Sequence, residues 1–220
     1  MKINKSKWKV VIFTPHRKYA YMPRLTLSGE GGENLDVVES VKLLGVKLRS
    51  DMRWSDNTDY ICKKGYSRLW ILRRLKGLGA TKEELLDVYQ KQVRSILELA
   101  VPVWQSGITK QERNQIERVQ ECALSIILGD QYFHYKQALE LLDCENLEVR
   151  RLKICENFVK KAVKNPKFKH WFRKYGDTAS KIRKRKVKNQ KYNASLHIPY
   201  RTDRYRDSPL PFMTEILNRI

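Results

Sequence analysis

Apolar residues fall in short β-branched clusters through the first fifty positions and at helical spacing from Asp56 onward. The early clusters read as strands. Lys9-Val10-Val11-Ile12-Phe13 is one, Leu25-Thr26-Leu27 is a second, and Ser28-Gly29-Glu30-Gly31-Gly32 follows as a flexible turn. Val37-Val38 starts a further short strand. Residues 41–48 alternate in their second half, which puts Leu44, Val46 and Leu48 on one face. Gly45 among them predicts a bulge or a close backbone approach. Gly29, Gly31 and Gly32 lack both GxGxxG spacing and a following helix, so they do not make a nucleotide loop.

In the helical part, Ile61, Gly65, Leu69 and Leu72 share a stripe that stops at Gly77 and Gly79, residues suited to a C-cap. Thr81 with Glu84 makes a capping box ahead of Leu86, Tyr89, Val93, Ile96 and Ala100, and Pro102 ends or bends that helix. Thr109 with Glu112 is a second box, followed by Ile116, Val119, Ala123 and Ile126 and closed by Gly129. A shorter helix covers residues 135–142. The next starts near Asn146, sets Leu152, Cys155, Val159 and Ala162 on one side, and stops before Pro166. Each stripe is one face wide, so the helices have to pack on one another. The predicted fold is mainly α. A small antiparallel β-sheet or hairpin precedes a helical bundle, and a basic, partly disordered tail follows, with a short terminal helix from Pro211.

Charge changes the picture. The 220 residues hold 45 Lys and Arg against 24 Asp and Glu, a formal net charge of +21. Between Lys160 and Arg206 there are seventeen basic residues and only Asp177 and Asp203 as acids, so +15 of the excess lies there. The core of that stretch is Lys181, Arg183, Lys184, Arg185, Lys186 and Lys188. Such density repels itself unless a polyanion neutralises it, and phosphate backbones are the commonest polyanion in a cell. Trp171, Phe172, Tyr175, Tyr192, Tyr200 and Tyr205 are interleaved with the charge, where they can stack on bases or anchor the segment to the body. A solvated tail or a nuclear-import signal is the plainer alternative.

Apolar runs reach only four residues, as in Val10-Val11-Ile12-Phe13, so no segment can span a bilayer. The expected setting is intracellular, with nuclear import compatible with the basic run. Cys62, Cys122, Cys144 and Cys155 are widely spaced without a CxxC pair, which argues against a disulfide scaffold or a zinc finger. His16, His134, His170 and His197 are scattered, and no HExxH, GxSxG or P-loop pattern occurs. Glu83-Glu84 and the set Asp51, Asp56 and Asp59 sit at helix starts, where carboxylates suit the macrodipole, so they read as caps rather than metal ligands. No metal site is expected. Residue chemistry by itself points to a binding or structural module.

Several ordered motifs add a resemblance. Asn4-Lys5-Ser6-Lys7 followed by residues 9–13, then Val41-Lys42-Leu43-Leu44-Gly45-Val46, resembles the end of the palm in LINE-type, non-LTR retrotransposon reverse transcriptases. Trp8 stands where that family often has Thr. Asp51-Met52-Arg53-Trp54, then Tyr66, Leu69 and Leu72-Arg73-Arg74-Leu75, is similar to the start of the family's thumb. The likeness continues through residues 98–104, 116–123, 126–129 and 204–211, and so covers nearly the whole chain.

The resemblance implies a palm remnant over 1–55, a helical thumb over 56–130, a helical connector over 131–175 and a basic tail over 176–220. It places Leu43, Leu44, Gly45 and Val46 in a primer-grip-like hairpin. It also assigns Lys63, Lys64, Arg68, Arg73 and Arg74 of the first thumb helix to backbone contact with RNA, DNA or an RNA–DNA hybrid, Arg68 sharing a face with Lys63 and Lys64. Ordinary helix-surface charge is the competing reading for each. Trp70 and Trp104 are expected in the core. The complete family enzyme uses Mg2+ held by a [Phe/Tyr]-x-Asp-Asp turn and a third acid, and residues 1–220 contain no such turn. Polymerase chemistry needs those carboxylates to hold two ions about 3.5–4 Å apart, so this chain alone is expected to bind nucleic acid without extending it and to carry no cofactor. Two alternatives stand beside that expectation: a truncated reading of an active RNA-directed DNA polymerase, and a relic with no selected function.

Overall fold

A computed structural model describes residues 8–13, 36–168, 171–172 and 207–219. The described chain is mainly helical with a small antiparallel hairpin, as its pattern predicts. It divides into two compact units. Met1–Leu99 with Lys110–Ala123 form the first, and Ala100–Thr109 with Leu124–Ile220 the second.

In the first unit, β1 (Lys9–Val10) pairs with β2 (Asp36–Val37), Lys9 opposite Asp36 and Val10 opposite Val37. This pair is parallel, unlike the antiparallel arrangement expected. β3 (Ser40–Leu43) and β4 (Val46–Arg49) are antiparallel, and the last pair before the turn is Leu43 with Val46. Residues 41–48 are thus a hairpin, as the resemblance implies, rather than the bulged strand that alternation alone suggests. Leu44 (φ 48°) and Gly45 (φ 90°) form its two-residue turn, the left-handed pair that matches strand twist. Gly45 also meets the close approach that its sequence position predicts. A Cβ there would lie 2.9 Å from Leu99 Cδ2. The expected Leu25–Leu27 strand lies outside the described residues.

α1 (Ser55–Gly77) buries the predicted stripe of Ile61, Gly65, Leu69 and Leu72. Glycine is costly inside a helix, and packing explains this one: a Cβ on Gly65 would sit 2.8 Å from Val119 Cγ1 and 3.1 Å from Leu97 Cδ2. After α1, the Gly79 and Ala80 amides donate back to the carbonyls of Lys76 and Leu75, closing the helix end as a Schellman motif. α2 (Lys82–Val88) starts with the predicted capping box, Glu84 N donating to Thr81 Oγ1 and Thr81 N to Glu84 Oε2.

The helix does not continue regularly from there. Tyr89–Arg94 is π-helical, and α3 (Ser95–Leu97) follows. The buried row is Leu85, Tyr89, Val93 and Leu97, every fourth residue, while Leu86, Ile96 and Ala100 are half-buried. A wider π turn keeps four-residue spacing in line where an α-helix would rotate it away. Tyr89, fully buried, donates its hydroxyl to Gln120 Oε1. The break comes at Ala100 (φ 51°), not at Pro102, which lies in the first turn of the next helix, where its missing N–H costs nothing.

The second unit contains that helix, α4 (Val101–Trp104), and a 3-10 turn at Gln105–Gly107. α5 (Lys110–Leu128) is divided between the units after Ala123. In it Ile116, Val119 and Ala123 are buried as expected, with Ile127 rather than Ile126. α6 (Tyr135–Leu141) is capped by His134 Nδ1, which accepts from Gln137 N. α7 (Leu147–Lys164) is capped by Asn146 and packs against α4 and against α8 (Pro209–Arg219). Its buried row is Leu147, Arg151, Cys155, Val159 and Ala162, whereas the predicted Leu152 is 38% exposed. The row runs through a charge because Arg151 Nε donates to buried Gln105 Oε1 at 2.8 Å. Apart from Asp207, the segment 176–207 expected to be disordered lies outside the described residues.

Candidate nucleic-acid interface

The buried stripe of α1 decides where its cations go. With Ile61, Gly65, Leu69 and Leu72 turned inward, Lys63, Lys64, Arg68, Arg73 and Arg74 are all exposed. Among the described residues none of the five is ion-paired. They do not share one face. Lys64 and Arg68, four apart, are neighbours on one flank. Lys63 falls instead in a row with Ser67, Trp70 and Arg74, at spacings of four, three and four.

Trp70 departs from its expected place in the core. It is 61% exposed, with Arg73 and Arg74 one turn on and Lys63 two turns back, while Trp104 is fully buried as expected. Size and apolarity alone group the two, yet Trp70 is one residue past the stripe. Tyr66, also exposed, precedes it by one turn. An exposed indole flanked by unpaired cations is the surface on which a base can stack while its phosphates are held.

The hairpin adds a second feature, which strand patterning alone does not reveal. Lys42 and Lys47 stand directly opposite each other across β3 and β4. Both reach the ring of Tyr60 on α1, with Nζ 5.0 and 5.4 Å from its centroid, and Lys64 Nζ lies 5.1 Å from it. The ammonium groups of Lys42 first, then Lys64, favour the phenolate and hold the Tyr60 hydroxyl below its ordinary pKa. The hairpin is fixed to the helix nearby. Lys47 N donates to Asn57 Oδ1 at 3.0 Å, and Arg49 bridges Asp51 and Asp56 at 3.1 and 3.2 Å. Asp59 accepts from Gln115 Nε2. Asp51, Asp56 and Asp59 thus serve the protein's own structure, but not as the caps expected: α1 follows Trp54 without a side-chain cap, and only Asp56 lies in its first turn. Among the described residues no group of three or more side chains could hold a metal ion.

Of the primer-grip-like residues, Leu44 is 92% exposed at the hairpin tip and Leu43 is 56% exposed, whereas Val46 is buried and Gly45 packs on Leu99. The basic run Lys181, Arg183, Lys184, Arg185, Lys186 and Lys188 lies outside the described residues. On α7, Lys153, Lys160, Lys161 and Lys164 are exposed, a basic side that the charge count included without its helical placement. No helix among the described residues is long and apolar enough to cross a membrane. No family model, curated protein or solved structure matches the chain.

Proposed function

We propose that this protein is a non-catalytic nucleic-acid-binding module that holds the phosphate backbone of RNA, DNA or an RNA–DNA hybrid without reading sequence. The observation that carries the reading is α1, whose five exposed cations lack carboxylate partners among the described residues, three of them (Lys63, Arg73 and Arg74) on the side of an exposed Trp70. Unpaired Lys and Arg serve phosphates, and the indole serves bases of any identity. The ordered likeness to the end of the palm and thumb of LINE-type reverse transcriptases supports the same role, as does the +15 stretch from Lys160 to Arg206. On this reading the protein works inside the cell and, where the basic run directs import, in the nucleus. For residues 1–220 taken alone, which contain no Asp-Asp turn, the proposal is of binding only.

The test is anisotropy titration of labelled single-stranded RNA, DNA and hybrid duplex, each in two unrelated sequences, at rising salt. The expected result is binding to both sequences alike, weakening by orders of magnitude between about 50 and 200 mM salt. No binding at the lowest salt, or strong preference for one sequence, overturns the proposal.

A further inference from the structure

The lysines around Tyr60 differ from the rest of the basic surface in that they converge. Three ammonium groups within 5.0–5.4 Å of one centroid lie within about a Debye length of each other. Lys42 and Lys47 occupy opposed positions in the hairpin, an arrangement that destabilises a strand pair unless something offsets it. The ring offsets part of this through cation–π contact with both ammonium groups. Of the acids nearest in sequence, Asp51 and Asp56 are engaged by Arg49, Glu39 acts on Arg49 as well, and Asp59 accepts from Gln115. Among the described residues no carboxylate pairs with Lys42, Lys47 or Lys64. The cluster is also reachable, since Lys42 and Lys64 are exposed and Lys47 and Tyr60 half-buried.

A backbone phosphodiester carries one negative charge and neutralises a third of this cluster. A phosphomonoester carries close to two at neutral pH and offers three acceptor oxygens. We infer that Lys42, Lys47, Lys64 and Tyr60 form a seat for a phosphate dianion, supplied by the phosphorylated end of a strand or by free inorganic phosphate. The strand-end form rests on the proposed backbone binding, while the free-phosphate form does not.

The experiment compares a 12-nucleotide strand carrying a 5′-phosphate, a 3′-phosphate or hydroxyl ends, and adds inorganic phosphate against chloride at equal ionic strength. Wild type is set beside the K42Q/K47Q/K64Q variant, with K64Q alone as the version least exposed to folding defects. A strand-end seat predicts about tenfold tighter binding of one phosphorylated strand than of the hydroxyl-ended strand, the size of one charge-assisted hydrogen bond. That preference disappears in the variants; hydroxyl-ended binding falls too, because Lys64 also belongs to the proposed backbone surface, so the readout is the ratio of phosphorylated to hydroxyl-ended affinity. A free-phosphate seat predicts instead that inorganic phosphate raises the melting temperature of wild type above that in chloride, but not of the variants. If neither end phosphorylation nor inorganic phosphate distinguishes wild type from K64Q, the seat is refuted, whatever the hydroxyl-ended strand does. If no strand binds but phosphate still stabilises wild type selectively, the seat stands and backbone binding falls.

Discussion

α1 and α7 are the two long helices most alike in outline, each amphipathic and each basic on its exposed side, but they treat their cations differently. On α7 the charge is partly absorbed by the fold. Arg151 is fully buried on Gln105, and Lys153 pairs with Glu145. Lys160, Lys161 and Lys164 then sit in and near the last turn, where they suit the macrodipole. On α1 none of the five exposed cations pairs with a carboxylate among the described residues, and the exposed side also carries an indole that the core does not use. A basic helix is thus weak evidence for a polyanion partner when its charges have structural work, and better evidence when fewer do. On α1 that work falls to Arg74 in the last turn and Lys64 on the Tyr60 ring, leaving Lys63, Arg68 and Arg73 without it.

That contrast can be broken in four places. Arg151→Ala should cost the most, about 3 kcal/mol or more, because it opens a cavity and leaves the buried Gln105 oxygen unpartnered. Chemical denaturation measures it, and a loss under about 1 kcal/mol would mean that the buried arginine is not structural. Trp70→Ala should leave stability within about 0.5 kcal/mol and weaken single-strand binding by about 1–3 kcal/mol. The reverse pattern would return Trp70 to the core.

Cys155 on α7 gives a smaller, pH-dependent effect. Burial pushes its thiol up to about 12 despite Arg151 beside it. The unfolded thiol, near about 8.5, loses its proton first, so this residue's contribution to stability declines as pH rises from about 9 towards 12. Cys155→Ser measured at pH 8 and pH 10 should show a smaller stability difference between the two pH values than wild type does. Equal differences would contradict the assignment. Lys153→Gln should change least, within about 0.5 kcal/mol, since an exposed ion pair contributes little.

Local signals carry much of this fold in the sequence. The Thr81–Glu84 box, the Asn146 cap and the inward row of α1 each depend on residues within a turn or two, and each is where its pattern puts it. The hairpin turn is harder to read, because a left-handed turn usually announces itself as Asn-Gly or Asp-Gly. Leu44-Gly45 looks instead like an alternating strand. The π-helical stretch and the buried Arg151 follow from partners far away in the chain, Gln120 for Tyr89 and Gln105 for Arg151. Candidate-site residues divide the same way. Lys63, Lys64, Arg68, Arg73 and Arg74 are visible as helix-surface charge. The Lys42, Lys47 and Lys64 cluster depends on strand register and on the seating of the hairpin against α1, neither of which composition encodes.

The most direct test of the central claim is the salt dependence of single-strand binding by the full chain, compared with the chain carrying K63Q, R68Q, R73Q and R74Q. If α1 holds phosphates, the logarithmic slope should flatten by up to about 0.7 for each phosphate no longer neutralised, with melting temperature nearly unchanged. An unchanged slope in a folded variant would mean that α1 touches no backbone, and that its unpaired charge is only a solvated surface.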